Sequence, residues 1–324
     1  MEHLVLIDGH HLLYRAYWAI PRTLKTRAGE QVNVTFGVAS MLLHILRIEQ
    51  PDALLFCFDA GEETFRHQEH TEYKEGRAET PDDFYPQIDR AIQCVEAFGL
   101  RHVADKGFEA DDLIGSYATA GRNAGMRVTI VSGDRDVLQL VNGGVRVAIP
   151  HKGYQEAQYL DAAEVEKKYG IRPDQVVDYK GLTGDSSDNL PGVKGIGPKT
   201  ASELLKTYGT LDGVYEHLAD IRPAVRAKLE ADKDQAFFCR RMARIVCDMQ
   251  LAVPVADLCV ASLSLDRIDA FFREMEFTLL QRRVRELAAS EYGKQIFDGS
   301  TVPAMPITET SVATEEKKSQ LSLF

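Results

Sequence analysis

The chain has 324 residues, of which 44% are hydrophobic and 27% charged, and this length and composition predict about two globular units. Its net charge of -11 excludes a uniformly basic surface that grips phosphate groups everywhere. The amino terminus lacks a secretory signal, apolar runs such as Met41-Leu42-Leu43 are too short to span a membrane, and the five cysteines contain no CxxC pair. We therefore expect a soluble cytoplasmic protein with reduced thiols, without membrane attachment, disulfide framework or zinc site.

In the first half of the chain, short apolar runs alternate with longer segments of helical period. The predicted strands are Leu4–Ile7, Ala53–Phe58, Arg127–Val131 and Val145–Ile149, and the predicted helices cover residues 10–20, 35–50, 83–98, 109–124 and 135–141. Continuous apolar strands separated by helices are typical of a mostly parallel sheet covered on both faces. The sequence therefore predicts an α/β domain over residues 1–185.

The second half of the chain has a different character. After Asp185 the strand signals stop, and glycines and prolines separate successive helices up to residue 290, which predicts a helical domain over residues 186–290. Residues 291–324 are rich in Thr, Ser, Pro and charge and have no periodicity, so they are predicted to form a flexible, disordered tail. The last five residues of that tail are abruptly apolar.

Nine acidic residues occur in five short segments, mostly after a predicted strand or at the start of a helix. They are Asp8, Asp59, Glu109, Asp111, Asp112, Asp134, Asp136, Asp185 and Asp188. Ligands of open α/β sheets bind at the carboxyl ends of the strands, which is where several of these acids are expected. Any one of them could equally be a turn residue or a helix N-cap. Three acids within Glu109-Ala-Asp-Asp would repel one another, however, unless cations bind them.

The ligand chemistry of this acidic set indicates the kind of cation. Carboxylate oxygens without paired His or Cys suit Mg²⁺ or Mn²⁺. Two such ions about 3.5–4 Å apart can clamp an in-line phosphoryl displacement, one activating water and the other stabilising the leaving oxygen. The sequence therefore predicts hydrolysis of phosphodiester bonds, and the acids account for most of the excess negative charge.

Basic and aromatic residues between the second strand and the next helix are candidates for contact with a phosphate-containing substrate. Lys74 and Arg77 are three residues apart and could share one helical face, Tyr73 could stack on a base, and Arg66 adds another positive charge. The alternative interpretation is a solvated surface helix with its own acidic partners.

A glycine-rich segment, Leu190 to Ala201, opens the helical half. Gly192, Gly195 and Gly197 would let backbone N–H groups approach a phosphate, and Lys194 and Lys199 add charge. This segment resembles a helix-hairpin-helix, which binds a DNA backbone without reading sequence, and a generic glycine-rich turn is the alternative. Residues 189–245 carry 10 Lys or Arg against 7 Asp or Glu, so basic charge is separated from the acidic segments.

Taken together and in this order, the motifs resemble the flap endonuclease family, in particular the 5′-nuclease domain at the amino terminus of bacterial DNA polymerase I. The matching segments include Ile7-Asp8-Gly9-His10-His11-Leu12, Phe58-Asp59-Ala60, Phe65-Arg66-His67, Tyr73-Lys74 with Arg77, Glu109-Ala110-Asp111-Asp112, Gly133-Asp134-Arg135-Asp136 and Leu182 through Gly197. The likeness extends to about residue 290. It implies a PIN-like sheet domain, a helical arch over about residues 62–82 and a helix-three-turn-helix domain.

The resemblance also implies an activity and a division of roles. The activity is that of a Mg²⁺-dependent 5′-3′ exonuclease and flap endonuclease that cleaves branched or nicked DNA near 5′ ends and removes RNA primers in replication and repair. Asp8, Asp59, Glu109, Asp111 and Asp112 would serve a first metal, and Asp134, Asp136, Asp185 and Asp188 a second. Lys74 and Arg77 would contact the scissile phosphate from the arch, and backbone carbonyls of the helix-hairpin-helix would hold K⁺.

The end of the chain suggests a protein partner. No polymerase follows the nuclease segments, so we expect a free-standing, monomeric nuclease. Gln320, Leu321, Leu323 and Phe324 lie in a pentapeptide that resembles the one by which bacterial replication proteins bind the sliding clamp. The alternatives are a terminus that folds back onto its own domain and a chance match.

Two other functions fit parts of the sequence. A phosphomonoesterase could use Asp8 as a covalent nucleophile, but the Asp8-Gly9-His10-His11 segment lacks a second acid two residues later to act as acid and base. A catalytically silent DNA-binding scaffold is disfavoured because every expected carboxylate is present.

Overall fold

The computed structural model describes residues 1–61, 63–75 and 80–298. Its strands are β1 (His3–Asp8), β2 (Ala53–Asp59), β3 (Arg101–Asp105), β4 (Arg127–Val131), β5 (Val145–His151) and β6 (Gly153–Leu160). Its helices are α1 (Gly9–Ala19), α2 (Asn33–Glu49), α3 (Phe65–Glu69), α4 (Pro86–Ala97), α5 (Ala110–Asn123), α6 (Ala162–Tyr169), α7 (Val176–Thr183), α8 (Pro198–Tyr208), α9 (Leu211–Glu216), α10 (Pro223–Ala231), α11 (Lys233–Met242), α12 (Leu265–Glu274), α13 (Thr278–Ala288) and α14 (Glu291–Ile296). Within these ranges, every helix is too short or too polar to cross a membrane.

The six strands form one sheet in the order β3-β2-β1-β4-β5-β6. All neighbouring strands are parallel except β5 and β6, which pair antiparallel. The chain moves outward from β1 through β2 to β3 and then returns to the other side of β1 as β4. The strand order therefore reverses between β1 and β4, and a crevice for ligands is expected at the carboxyl ends of these two strands.

Both faces of the sheet are covered, which explains why the central strands are apolar over most of their lengths. Val5 and Ile7 of β1 point to one face and pack with α1, α2, α4, α12 and α13. Leu4 and Leu6 point to the other face and pack with α5 and with the helices that follow β6. The predicted α/β fold with a mostly parallel sheet is confirmed.

Two strands and one helix differ from the sequence-based expectation. β1, β2, β4 and β5 form as predicted, whereas β3 and β6 were not predicted. Both are edge strands with exposed or half-buried polar residues, so they lack the continuous apolar signal of the centre. The helix predicted over residues 135–141 is a short 3-10 helix, Asp136–Leu140.

The carboxyl-terminal helices also divide the chain differently from the predicted boundaries. α12 and α13 leave the helical half and join the core on one face of the sheet, packing with α2 and α4. The tail was predicted from residue 291, but α14 begins there, and the Tyr292 hydroxyl donates to the Pro51 carbonyl at 2.7 Å. Residues 291–298 are therefore part of the fold. Gln320 to Phe324 lie outside the described residues.

Candidate active site

Five of the predicted acids gather at the carboxyl edge of the central strands. A cavity of about 200 Å³ is lined by Asp8, Asp59, Glu109, Asp111 and Asp134, together with Lys74; we call these five acids the first carboxylate cluster. Asp8 ends β1 and caps α1, accepting the His11 backbone N–H at 2.9 Å. Asp59 ends β2 and accepts the Ala110 N–H at 2.8 Å, which joins it to the start of α5. Strand ends and helix starts thus bring together acids that lie far apart in the sequence.

Burial and repulsion from neighbouring acids disfavour the charged forms of Asp8 and Asp111. Burial, reinforced by Asp59 and Asp134, raises the pKa of Asp8 to about 7, although hydrogen bonds from the His11 backbone and the Ser132 hydroxyl oppose the shift. Burial, with Asp134 and Asp8 close by, raises the pKa of Asp111 well above its usual value. Carboxylates in this condition gain most from a bound cation, which would restore their charged forms.

Asp112 does not join the first carboxylate cluster, which corrects its prediction as a metal ligand. Its carboxylate is fully buried and accepts two hydrogen bonds from the Arg66 guanidinium, at 2.7 and 2.8 Å. The Val246 N–H donates to the same carboxylate at 2.8 Å. Arg66 was predicted to contact DNA, but its side chain is only 3% exposed. The pair instead anchors α3, at the foot of the predicted arch, to α5.

Residues 63–75, within the predicted arch, place Lys74 in the lining of the first cavity. The Lys74 ammonium lies 2.6 Å from Glu109 Oε1, in agreement with a position beside the acids. Tyr73 is buried, and its hydroxyl donates to Glu109 at 3.2 Å and to Asp188 at 3.3 Å. It is therefore not exposed to stack on a base, as was predicted. Arg77 lies outside the described residues.

A second carboxylate cluster consists of Asp136, Asp185 and Asp188, whose oxygen atoms lie within 4.8 Å of one another. Lys180, which was not predicted as a site residue, donates from its ammonium to Asp136 and, at 2.5 Å, to Asp185. Burial alone would raise the pKa of Asp185, but Lys180 and hydrogen bonds from Ser187 lower it to about 2. The structure thus already places one positive charge among these carboxylates.

Asp134 and His11 connect the two clusters. Both line the first cavity and also a neighbouring cavity of about 690 Å³ that contains Asp136, Asp185 and Lys180. Asp134 was predicted to serve the second metal, and its position between the clusters places it in reach of both. The His11 ring packs on Gly133, where an added Cβ would lie 2.2 Å from the ring. His11 Nε2 has no hydrogen-bond partner among the residues that the structure describes.

The glycine-rich hairpin before α8 divides into a buried and an exposed part. Gly192 has a φ of 63°, an added Cβ would lie 2.1 Å from the Gly184 nitrogen, and its N–H points to Cys239 Sγ at 3.4 Å. Gly192 therefore fixes the loop that carries Asp185 and has no free N–H for a phosphate, which corrects its predicted role. The remaining predicted residues, Lys194, Gly195, Gly197 and Lys199, are exposed.

A switch-point crevice with two adjoining carboxylate clusters is typical of one class of protein, the phosphodiester-cleaving hydrolases that work through acidic side chains. The family models agree with this class. The model for the "5'-3' exonuclease, N-terminal resolvase-like domain" matches residues 3–170, and that for the "5'-3' exonuclease, C-terminal SAM fold" matches residues 171–266. The chain belongs to the 5′-3′ exonuclease family, which confirms the resemblance seen in the sequence and makes it a nuclease.

Curated relatives include DNA polymerase I of Mycobacterium tuberculosis, 38% identical over 300 residues that cover 92% of this chain and 33% of that protein. DNA polymerase I of Bacillus subtilis is 37% identical over 297 residues, covering 91% of this chain and 34% of that protein. The chain thus spans about a third of the length of the curated relatives it matches.

Two solved structures share the fold at low sequence identity. The T5 5′-exonuclease with divalent zinc ions bound is 18% identical with a TM-score of 0.63, covering 85% of this chain and 99% of that chain. The catalytic core of Rad2 in complex with a DNA substrate is 17% identical with a TM-score of 0.56, covering 87% of this chain and 90% of that chain.

Proposed function

We propose that this nuclease cleaves phosphodiester bonds near the 5′ ends of branched, nicked or RNA-primed DNA, with divalent cations held by its two carboxylate clusters. The observation that carries the proposal is the meeting of eight acids at the carboxyl edge of the sheet, beside Lys74 and Lys180. DNA and zinc ions bound to the structural neighbours described above support it.

The residues present fit Mg²⁺ or Mn²⁺. The ligand atoms are carboxylate oxygens, the donors that these ions prefer. In the first cluster Lys74 contacts Glu109, yet burial and the neighbouring acids still raise the pKa values of Asp8 and Asp111. The second cluster already holds the Lys180 ammonium between two carboxylates. The first cluster would hold one cation and the second cluster another, with Asp134 between them. When bound, such ions activate water and stabilise the leaving oxygen.

The basic side chains position the substrate in this proposal. Lys74 sits at the mouth of the first cavity, where its charge would stabilise a phosphoryl group more strongly in the transition state than in the ground state. Arg77 is proposed to assist it. Lys74→Ala should therefore lower the single-turnover rate more than it weakens DNA binding. Equal losses of rate and affinity would assign Lys74 to binding alone.

The hairpin before α8 is proposed to hold duplex backbone away from the chemistry. Lys194 and Lys199 are exposed, and Gly197 leaves the amino terminus of α8 open to a phosphate. Contacts of this kind read no bases, so the choice of cleavage site would follow the shape of the DNA. We also propose a K⁺ site at hairpin carbonyls; the Gly195 carbonyl accepts the Lys228 ammonium at 2.9 Å, so that position favours a cation.

The carboxyl-terminal pentapeptide is proposed to bind the bacterial sliding clamp through Gln320, Leu321, Leu323 and Phe324. A short peptide with two or three apolar anchors can fill a preformed pocket on a partner. The segment between the fold and this peptide has roughly 20 residues, long enough to tether a monomeric nuclease at a high effective concentration. Deletion of residues 320–324 should abolish clamp binding without changing flap cleavage when the clamp is absent. Equal clamp affinity of the full-length and shortened chains would contradict the proposal.

The main experiment is digestion of a 5′-labelled flap duplex in Mg²⁺ and in EDTA. We expect cleavage near the junction in Mg²⁺, none in EDTA, and weak cleavage of the free single strand. A matched RNA-primed duplex measures the preference for RNA or DNA 5′ ends. Asp111→Asn provides the control, because it removes one ligand charge while keeping nearly the same volume. Undiminished cleavage in EDTA would refute the metal-dependent mechanism.

A further inference from the structure

Two adjoining cavities lie along α2, outside the carboxylate clusters. The first, of about 290 Å³, lies between α1, α2 and the β5–β6 hairpin, and its walls include the apolar side chains of Ala16, Ile20 and Met41. The second, of about 460 Å³, lies between α2 and α13 and is lined by Arg47, Arg282 and Arg283. His44 lines both, so an apolar chamber and an arginine chamber meet at one side chain.

The arginine chamber has an excess of positive charge. Glu286 is the single acid in its lining, and it pairs with Arg282 at 3.2 Å. Arg283 donates to the neutral Ser40 hydroxyl at 3.0 Å, and the Arg47 side chain forms no hydrogen bond or ion pair with any described residue. Clustered guanidinium groups with one carboxylate favour an anion such as a phosphate, which can accept several of their N–H groups.

His44 forms the wall that the two chambers share. Its side chain is more than nine-tenths buried, and its Nε2 lacks a hydrogen-bond partner among the described residues. Burial, together with Arg283 and Arg47, lowers its pKa to about 4, so the ring is neutral at pH 7.

The arginine chamber differs in position from the metal site. Glu49 ends α2 beside the start of β1, where its carbonyl contacts His3 Nδ1 at 3.1 Å. The arginine chamber is thus near the amino edge of the sheet, whereas the carboxylate clusters are at the carboxyl edge, about 20 Å away along a six-residue strand. From Gly37 to Arg47 the chambers extend about 15 Å along the helix.

We propose that the α2 chambers bind a nucleotide, with its base in the apolar chamber and its phosphate among Arg47, Arg282 and Arg283. His44 lies between the two and separates the base from the phosphate. The ligand is a free nucleoside monophosphate or the terminal nucleotide of a strand. Nucleotides are also what a 5′-exonuclease releases, and this link to the product class rests on the proposed function.

The test is isothermal titration of the full chain with dAMP in EDTA, where metal-dependent binding at the carboxylates is suppressed. Arg47→Ala/Arg282→Ala removes two exposed arginines of the site, and Arg101→Ala/Arg122→Ala removes two exposed arginines elsewhere. Ala19→Phe places a large ring at the exposed edge of the apolar chamber. We expect dAMP affinity to fall at least about tenfold in the first and third variants and to stay unchanged in the control.

Three results would overturn the inference: no saturable dAMP binding, equal losses in the control pair, or inorganic phosphate binding as tightly as dAMP. The last would indicate a bare anion site. Competition between dAMP and a single-stranded oligonucleotide shows whether the site prefers a free nucleotide or the end of a strand. Tighter binding of either ligand supports the site, provided that the same variants weaken the binding of that ligand. Flap cleavage is measured in parallel. If the wild-type chain binds dAMP but does not cleave the flap duplex, the result counts against the proposed function alone. If it cleaves the duplex but does not bind dAMP, the result counts against this inference alone.

Discussion

Arg66→Ala should destabilise the fold, because Arg66 is the buried partner of Asp112. The substitution removes two hydrogen bonds to that carboxylate and the bonds to the Met242 and Arg244 carbonyls at 3.0 and 2.8 Å. Asp112, at 0% exposure, would then have the Val246 and Glu109 N–H groups as its remaining partners. Breaking a buried ion pair on one side costs about 3–5 kcal/mol, equivalent to a fall of roughly 10 °C in melting temperature.

Urea unfolding followed by circular dichroism in EDTA measures this loss without any contribution from bound metal. Arg101→Ala removes an exposed arginine and should change the free energy of unfolding by less than about 0.5 kcal/mol. Replacing both partners, as in Arg66→Met/Asp112→Leu, should recover most of the stability, since no buried charge is then left unpaired. An Arg66→Ala protein within about 1 kcal/mol of the wild type would refute the structural role and return Arg66 to the list of DNA contacts.

Three further predictions concern charge. Lys180→Met leaves Asp136 and Asp185 to repel each other, so it should lower the melting temperature in EDTA. It should also enlarge the rise in melting temperature that Mg²⁺ produces, and equal rises in variant and wild type would contradict this. Lys194→Ala/Lys199→Ala should weaken duplex binding and flatten its salt dependence, and an unchanged slope would remove these lysines from the interface. The Asp8 pKa of about 7 lies above its ordinary value, so between about pH 4 and pH 7 the folded state keeps a proton that the unfolded chain has lost. The stabilisation that this proton gives the folded state is fully present below about pH 4 and disappears as the pH rises to about 7. Metal-free wild type should therefore lose stability across this range, and Asp8→Asn should lose less; parallel profiles in urea would show that Asp8 is not perturbed.

The central strands of the sheet could be predicted because their residues are mostly apolar. β1, β2, β4 and β5 are apolar over most of their lengths, and each is followed by a turn or helix, so the acids at their ends could be placed at one edge. β6 was missed because it is an antiparallel edge strand whose polar residues interrupt any continuous apolar run. α14 was missed because the composition of the tail concealed a short helix whose Tyr292 and Ile296 are buried.

The sequence predicted which kinds of residue form the site better than it predicted where each side chain points. Asp111 and Asp112 are adjacent on α5 and project about 100° apart, so one faces the cavity and the other faces Arg66. Sequence shows the acidic cluster but not which way each member points. The sequence also contained a signal for Lys180 that the prediction did not use. Lys180 is the one lysine in the mostly apolar helix Val176–Thr183, five residues before Asp185, and a buried lysine needs a negative partner.

The central claim is that the two carboxylate clusters act as one catalytic centre with Asp134 between them. Single-turnover cleavage of a 5′-labelled flap duplex by Asp134→Asn at saturating Mg²⁺, with DNA affinity measured on the same substrate, tests it most directly. We predict a fall in rate of at least about a hundredfold, with affinity unchanged or higher because a repulsive charge has been removed. Cleavage at the wild-type rate by a correctly folded Asp134→Asn protein would contradict the account.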